Sequence, residues 1–264
     1  MKSAEFDALL ADIAPLRDYR AGDFEITELP GFTNRNYRLR RDREDWVLRI
    51  PRAATNRYID RDAEAHNLDL AQRLGFAPKA SWFDPAGISL TPTLRASRVL
   101  RAEELTLRDR LAEILEPLRR LHQSGADFRG RVDLRALLWR YFGLLKKTDQ
   151  AAYRPRLRQA ERVLQKLAAV DLSYVPSHND LVLENLLWQE SRLWIIDWEY
   201  SAMASPYWDL ATLCNAAGLN DEQSRCVLDV YCAGAGQMEE SMLFDYRGLL
   251  ELLSDCWMKS LAAD

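Results

Sequence analysis

Lysine is scarce in this chain: Lys2, Lys79, Lys146, Lys147, Lys166 and Lys259 are six of its 36 basic residues, leaving 30 arginines. Any chemistry that ordinarily uses lysine falls to arginine here. Histidine is scarcer still, three in 264 residues with no HxxxH or HExxH pair, which counts against a zinc or iron hydrolase built on His178, Asp180 and His122. The four cysteines, Cys214, Cys226, Cys232 and Cys256, show no CxxC spacing. A zinc site or disulfide framework is therefore not expected, and they read as small buried helical residues. No apolar run approaches the ~18 residues of a membrane span, and the start, MKSAEFDALLADIAP, places acids among its apolar residues instead of a basic and then apolar leader. A cytoplasmic protein without a membrane partner is expected.

What is present is ordinary for a globular chain, 48% apolar and 29% charged, which excludes disorder and collagen-like repeats. The net charge of −4 hides an asymmetry. Residues 1–100 carry 16 basic against 15 acidic side chains, residues 101–197 carry 17 against 14, and residues 198–264 carry 3 against 11. The acid excess is all C-terminal, where it repels phosphate backbones and suits a cationic ligand, or simply covers solvated helix faces. Nine arginines fall between residues 35 and 61, but Asp42, Glu44, Asp45, Asp60 and Asp62 interleave them, so no nucleic-acid partner is expected.

The first hundred residues read mostly as strand. After an amphipathic helix near 4–14, segments Asp23–Leu29, Asn36–Arg40 and Trp46–Ile50 lie between turn signals, and Lys79–Phe83 and Ile88–Thr93 flank the turn Asp84-Pro85-Ala86-Gly87. Between them Ala63, Leu68, Ala71 and Leu74 recur at helical spacing and stop at Gly75. Beyond residue 100 the period changes to 3.6: Leu107, Leu111, Ile114, Leu115, Leu118, Leu121 and His122 form one stripe, and Val163, Leu164, Leu167 and Ala168 mark another. Runs Asn185–Trp188 and Leu193–Trp198 suit a hairpin carried on the helices. The expected division is an N-terminal lobe over 1–93 and a helical lobe over 94–264.

The sharpest signal is His178-Asn179-Asp180-Leu181-Val182-Leu183-Glu184-Asn185, followed twelve residues later by Asp197 at the end of an apolar strand. H-x-D-L-x-x-x-N and a later strand-terminal Asp is the order of a kinase catalytic loop and its metal aspartate. Phosphoryl transfer needs a carboxylate to take the acceptor's proton, here Asp180, and oxygen ligands for Mg²⁺, here Asn185 and Asp197. His178 reads as structural. A kinase-like site also needs a cation on the third strand paired with a helix glutamate. No lysine lies there; Arg49 does, and Glu64 shares its helix face with Leu68 and Ala71.

Leu29-Pro30-Gly31-Phe32-Thr33-Asn34-Arg35-Asn36-Tyr37, Val47-Leu48-Arg49-Ile50-Pro51, Tyr58-Ile59-Asp60-Arg61 with Glu64, Leu121-His122, the loop His178 to Asn185 and Ile196-Asp197-Trp198-Glu199-Tyr200 resemble the choline/ethanolamine kinase family, within the aminoglycoside phosphotransferase-like group. The resemblance runs from about residue 22 to 211. It implies an α+β, two-lobed, protein-kinase-like fold: a small antiparallel sheet with one helix, then a larger helical lobe. It also implies ATP and Mg²⁺ as cofactors, and a small cationic acceptor such as choline or ethanolamine. Thr33 and Asn34 would cover the phosphates, with Arg49 and Glu64 also on the nucleotide. Arginine at position 49 is itself a family feature, and Trp198-Glu199 in place of the glycine of protein kinases argues against a protein substrate. The loop carries one glycine, Gly31, where relatives often carry two, and Pro92 stands in the hinge Leu90–Thr93.

For the acceptor, Glu199 and Tyr200 follow the metal aspartate, and Trp257 lies on an apolar C-terminal helix, as similar aromatics do in that family. Aromatic faces plus a carboxylate hold an alkylammonium group best. Thiamine or an aminoglycoside stays open as acceptor, as does an inactive nucleotide-binding regulator, which would more often have lost Asp180, Asn185 or Asp197.

Overall fold

The computed structural model describes residues 3–31, 33–56, 58–170, 173–233 and 236–261. Phe32 of the phosphate loop and Lys2 lie outside them. By backbone contacts the chain forms two units, residues 1–98 with 187–200, and residues 99–186 with 201–264.

The first unit begins with helix α1 (Ser3–Asp12) and holds a five-stranded sheet of β1 (Glu25–Leu29), β2 (Asn34–Arg41), β3 (Glu44–Pro51), β4 (Trp82–Phe83) and β5 (Ser89–Pro92), in the order β1-β2-β3-β5-β4. All its pairings are antiparallel. The two-residue turn between β2 and β3 uses Asp42 at φ +51°, a left-handed conformation that Asp tolerates better than most residues. The buried faces of the strands give Tyr37, Leu39, Leu48 and Leu90, and α1 closes that core with Phe6 and Leu10. The register places Asn36 opposite Arg49.

After the short helix α2 (Ala53–Asn56), α3 (Arg61–Arg73) starts where Asp60 accepts a hydrogen bond from the Ala63 N–H, an N-cap that satisfies one orphan donor. α3 buries Ala63, Glu64, Asn67 and Ala71, whereas Leu74, expected on that stripe, is its half-exposed C-cap. The hairpin of β8 (Leu186–Gln189) and β9 (Arg192–Ile195) departs from expectation. Residues 187–200 belong to the first unit, because the Ile195 N–H donates to Phe76 O at 3.0 Å and Arg192 donates to Gly75 O. The break expected between residues 93 and 94 falls instead within β6 (Arg98–Val99).

An ion pair ties β2 to β3: the Arg38 guanidinium on β2 donates to Asp45 on β3 at 2.9 and 2.7 Å. That bond, against the cost of burial, holds the Asp45 carboxyl down from 3.8 to about 2. A depressed carboxyl contributes stability that is fully present above its unfolded value and is lost as pH falls through the folded one. We expect Asp45→Asn to lower stability by about 1–2 kcal/mol at pH 7, with the deficit closing between pH 4 and 2, in urea titrations at each pH. A deficit that persists at pH 2 would exclude the charge as its source.

The second unit is helical: α4 (Arg108–His122), α5 (Leu134–Leu144), α6 (Lys147–Ala168), α7 (Pro206–Ala216), α8 (Asp221–Cys232) and α9 (Glu240–Leu261), with β7 (Val175–Ser177) and β10 (Ala202–Ala204) paired antiparallel. The α4 stripe is buried from Leu111 to His122. Leu107 is the exception: it precedes the helix and is 57% exposed. Along α6, Leu164 and Leu167 are buried but Ala168 is exposed. Cys214 and Cys256 are buried as expected, while Cys226 and Cys232 are only half-buried, and all four are free thiols. Among the described residues no helix is long and apolar enough to cross a membrane.

Candidate active site

In the first unit, four of the residues singled out from the sequence meet around one guanidinium. Arg49, central on β3, donates through Nη2 to Glu64 on α3 and to Gly87 O at 3.1 Å, and through Nη1 to Asp197 at 2.7 Å, with Glu199 3.8 Å away. A lysine has one point charge to offer; the fork serves three partners at once. Burial opposes the charge, but Asp197, Glu64 and Glu199 outweigh it and raise the Arg49 pKa.

Arg61, quoted in the sequence motif without a role, completes the cluster. It donates to the second oxygen of Glu64, takes Asn56 Oδ1 at 2.7 Å and lies 3.6 Å from Glu199. Glu64, whose side chain is 1% exposed, is thus shared by two arginines. Gly87 makes room for them: at φ +87°, any Cβ there would lie within 3 Å of the Arg61 guanidinium.

Asn34 links the expected phosphate loop to this cluster. Its Nδ2 donates to Glu199 at 3.2 Å and to Thr33 Oγ1 at 3.1 Å, and lies 3.5 Å from Asp197. Gly31 lets the loop fold this tightly, since a Cβ would sit 2.5 Å from Asn34 O and 2.6 Å from Asn36 Nδ2. Glu199, expected at an acceptor, is buried beside Asn34, Arg49 and Arg61, with Oε1 lacking a hydrogen-bond partner. Burial, with Asp197 beside it, pushes its carboxyl up to about 7. Asp197 itself stands at φ +64°, and Tyr200 is half-buried.

In the second unit, the loop after β7 carries the other expected residues. Asn185 Nδ2 donates to both Asp180 O at 2.9 Å and Asp180 Oδ2 at 3.1 Å. The loop therefore turns back within five residues, as its spacing requires. His178 is fully buried, consistent with a structural part. Trp257 lies half-buried near the end of α9.

Sequence reasoning missed Asp209 in the first turn of α7. It is fully buried, and its two oxygens accept the backbone N–H groups of Asn179 at 2.7 Å and His178 at 2.9 Å, while His122 Nε2 lies 3.1 Å away. Burial pushes its carboxyl up, but His122 and these donors prevail and hold it below the usual carboxylate range. Its neighbour Trp208 donates from the indole to Asn179 O at 2.9 Å. The available signal was a single acid inside the apolar run Tyr207-Trp208-Asp209-Leu210-Ala211. His122 thus meets Asp209 through its ring, and His178 through its backbone N–H.

The donor chemistry suits Mg²⁺, which prefers oxygen and is usually held by one or two carboxylates together with substrate phosphates. Asp197 offers a carboxylate whose side chain is 24% exposed. In the second unit, Asn185 spends its amide nitrogen on Asp180.

The model of the APH phosphotransferase enzyme family matches residues 25–252. Protein LicA of Haemophilus influenzae is 35% identical over 217 residues, spanning 78% of this chain and 62% of LicA's own length, just under two thirds. The crystal structure of choline kinase LicA from Streptococcus pneumoniae superposes with a TM-score of 0.83 at 25% identity, covering 90% of this chain and 85% of that one. A choline/ethanolamine kinase family protein from Mesorhizobium loti gives 0.80 at 32% identity, covering 99% and 87%.

Proposed function

The chain belongs to the APH phosphotransferase enzyme family and has the protein-kinase-like fold of its small-molecule kinases, and from that premise we propose that it phosphorylates choline or ethanolamine with ATP. In this reading the acceptor hydroxyl oxygen attacks the γ-phosphorus, the bond from that phosphorus to the β–γ bridging oxygen breaks, and ADP leaves. The hydroxyl proton goes to the Asp180 carboxylate, whose Oδ2 is oriented by the Asn185 amide. Arg49 neutralises charge on the phosphates, held on β3 by Glu64, and Thr33 and Asn34 cover them. Asn185 Oδ1 and Asp197 are the proposed ligands of Mg²⁺, which would supply neutralisation of the charge on the transferring phosphoryl group.

The observation that carries the reading is the fork of Arg49 between Glu64 and Asp197, the kinase cation and its glutamate rebuilt on an arginine. For the acceptor, the choline and ethanolamine kinases among the similar structures supply the support, with the −8 charge of residues 198–264. Glu199, Tyr200 and Trp257 are the proposed cation contacts.

ADP release, measured by a coupled assay over choline, ethanolamine, thiamine, kanamycin, a neutral sugar and an anionic hydroxy acid, tests this directly. Choline or ethanolamine is expected to give the highest kcat/KM. Tyr200→Ala is expected to raise the acceptor KM several-fold, about what one lost cation–π contact costs, with the KM for ATP little changed. Preference for a neutral sugar or an anionic hydroxy acid overturns the cation pocket, and no transfer to any acceptor overturns the kinase.

A further inference from the structure

We infer that the outer face of α6 docks reversibly on an anionic lipid bilayer. Residues 129–170, which include α5 and α6, carry 11 basic against 3 acidic side chains in a chain of net charge −4. The proposed phosphoryl transfer uses none of them. The expectation of no membrane partner followed from the lack of a spanning segment, and a surface contact needs no span.

The charges of α6 are sorted by face. Beside α9 they are paired: Arg156 meets Asp255 and Lys166 meets Asp245, each at 2.6 Å, and Asp149 lies 3.8 Å from Lys259. On the α5 side, Glu161 is taken by Arg135 at 3.3 Å and by the Trp139 indole N–H at 2.6 Å. Both acids of the helix are thus engaged. Lys147, Arg154, Arg158 and Arg162 remain, all exposed, and among the described residues none of the four has an ion-pair partner. Helical geometry places them within an arc of about 80° and along about 22 Å. Ala151 and Gln165 fill the rest of that arc, so no acid interrupts the row. The opposite side of the helix buries Leu157, Leu164 and Leu167 in the core, which fixes the row as an outward face.

Trp139 supplies the apolar part. It is 45% exposed, and with its N–H spent on Glu161 the ring offers carbon to solvent. It borders an open groove of about 570 Å³ together with Pro155, Leu157, Arg158 and Arg162. An indole settles at the headgroup level of a bilayer, and cations beside it meet the phosphates there. Long side chains that no partner holds in one geometry suit a plane of mobile anionic headgroups, which demands none. Single-stranded nucleic acid, by contrast, is held by a series of stacking aromatics along a basic groove. Trp139 is the one aromatic among the exposed large apolar side chains described.

Co-flotation of the full chain with vesicles of equal parts phosphatidylglycerol and phosphatidylcholine tests the inference. At about 0.1 M salt the protein is expected to float with these vesicles and not with pure phosphatidylcholine, and to be released at about 0.5 M salt. The triple variant Arg154→Gln, Arg158→Gln, Arg162→Gln is expected to bind about 100-fold more weakly, at about fivefold for each cation near the surface. Arg158→Gln alone is expected to cost about fivefold, which decides the matter if the triple variant does not fold. Arg156→Gln with Lys166→Gln removes two charges from the same helix at its paired face, and is expected to stay within about threefold of wild type.

Failure of the wild-type protein to float with the phosphatidylglycerol vesicles even at about 0.05 M salt overturns the inference, as does undiminished binding by the triple variant. An equal loss for each charge removed from the paired face would show attraction to the chain's charge at large, and overturns it too. A tighter hold on a single-stranded RNA oligonucleotide at the same salt, abolished by the same three substitutions, would make the face a nucleic-acid site instead. None of these readings involves ATP or an acceptor, so the inference stands or falls apart from the proposed function.

Discussion

Replacing Asp180 by Asn is expected to lower kcat by about 10²- to 10⁴-fold, the usual cost of losing a general base. Nucleotide affinity is expected to stay nearly unchanged. The substitution keeps the shape of the side chain, and its amide oxygen can still accept from Asn185 Nδ2, so the turn from residue 180 to 185 is preserved. Only the capacity to take a proton disappears. Single-turnover transfer rates measured beside nucleotide titrations separate the two quantities. Near-wild-type turnover would remove Asp180 from the chemistry, and a parallel loss of nucleotide affinity would mean that the loop itself had moved.

The second large effect is expected at Glu64. Its buried carboxylate is shared by Arg49 and Arg61, so Glu64→Ala leaves two arginines facing an empty site, and breaking a buried ion pair from one side typically costs about 3–5 kcal/mol. Urea unfolding should show that loss, together with a raised KM for ATP because Arg49 loses the partner that fixes it. Arg49→Lys is expected to be milder in stability yet impaired in both kinetic constants, since one ammonium cannot reach Glu64, Asp197 and Gly87 O together. A Glu64→Ala variant within about 1 kcal/mol of wild type would show that Asp197 and Glu199 suffice to hold the arginines.

Features governed by local period or turn chemistry were legible in the sequence. The five strands β1–β5 lie within a few residues of their expected limits, α3 begins beside the Asp60 cap, and the α4 stripe from Leu111 to His122 is buried. Leu107 was misplaced because it continues the spacing one residue before the helix, at the N-cap position. The pairing of Arg49 with Glu64 was readable from the kinase pattern of a third-strand cation and a helix glutamate. Asp209 was not: nothing within its own helix distinguishes a buried carboxylate from an exposed one, and its donors come from residues 122, 178 and 179. The hairpin after residue 186 was assigned to the helices for the same reason, since its allegiance is set by Gly75 and Phe76, more than a hundred residues earlier.

That allegiance has a consequence for synthesis on the ribosome. Residues 1–98 emerge long before residues 187–200, so during most of elongation Arg49 and Arg61 have Glu64 as their shared carboxylate, while Asp197 and Glu199 have yet to be made. Two positive charges against one are unfavourable in a place meant to be buried. Only when Glu199 has left the exit tunnel do the acids outnumber the arginines and the cluster close. The first unit is therefore finished late in translation, after the chain of the Asp180 loop has already been made.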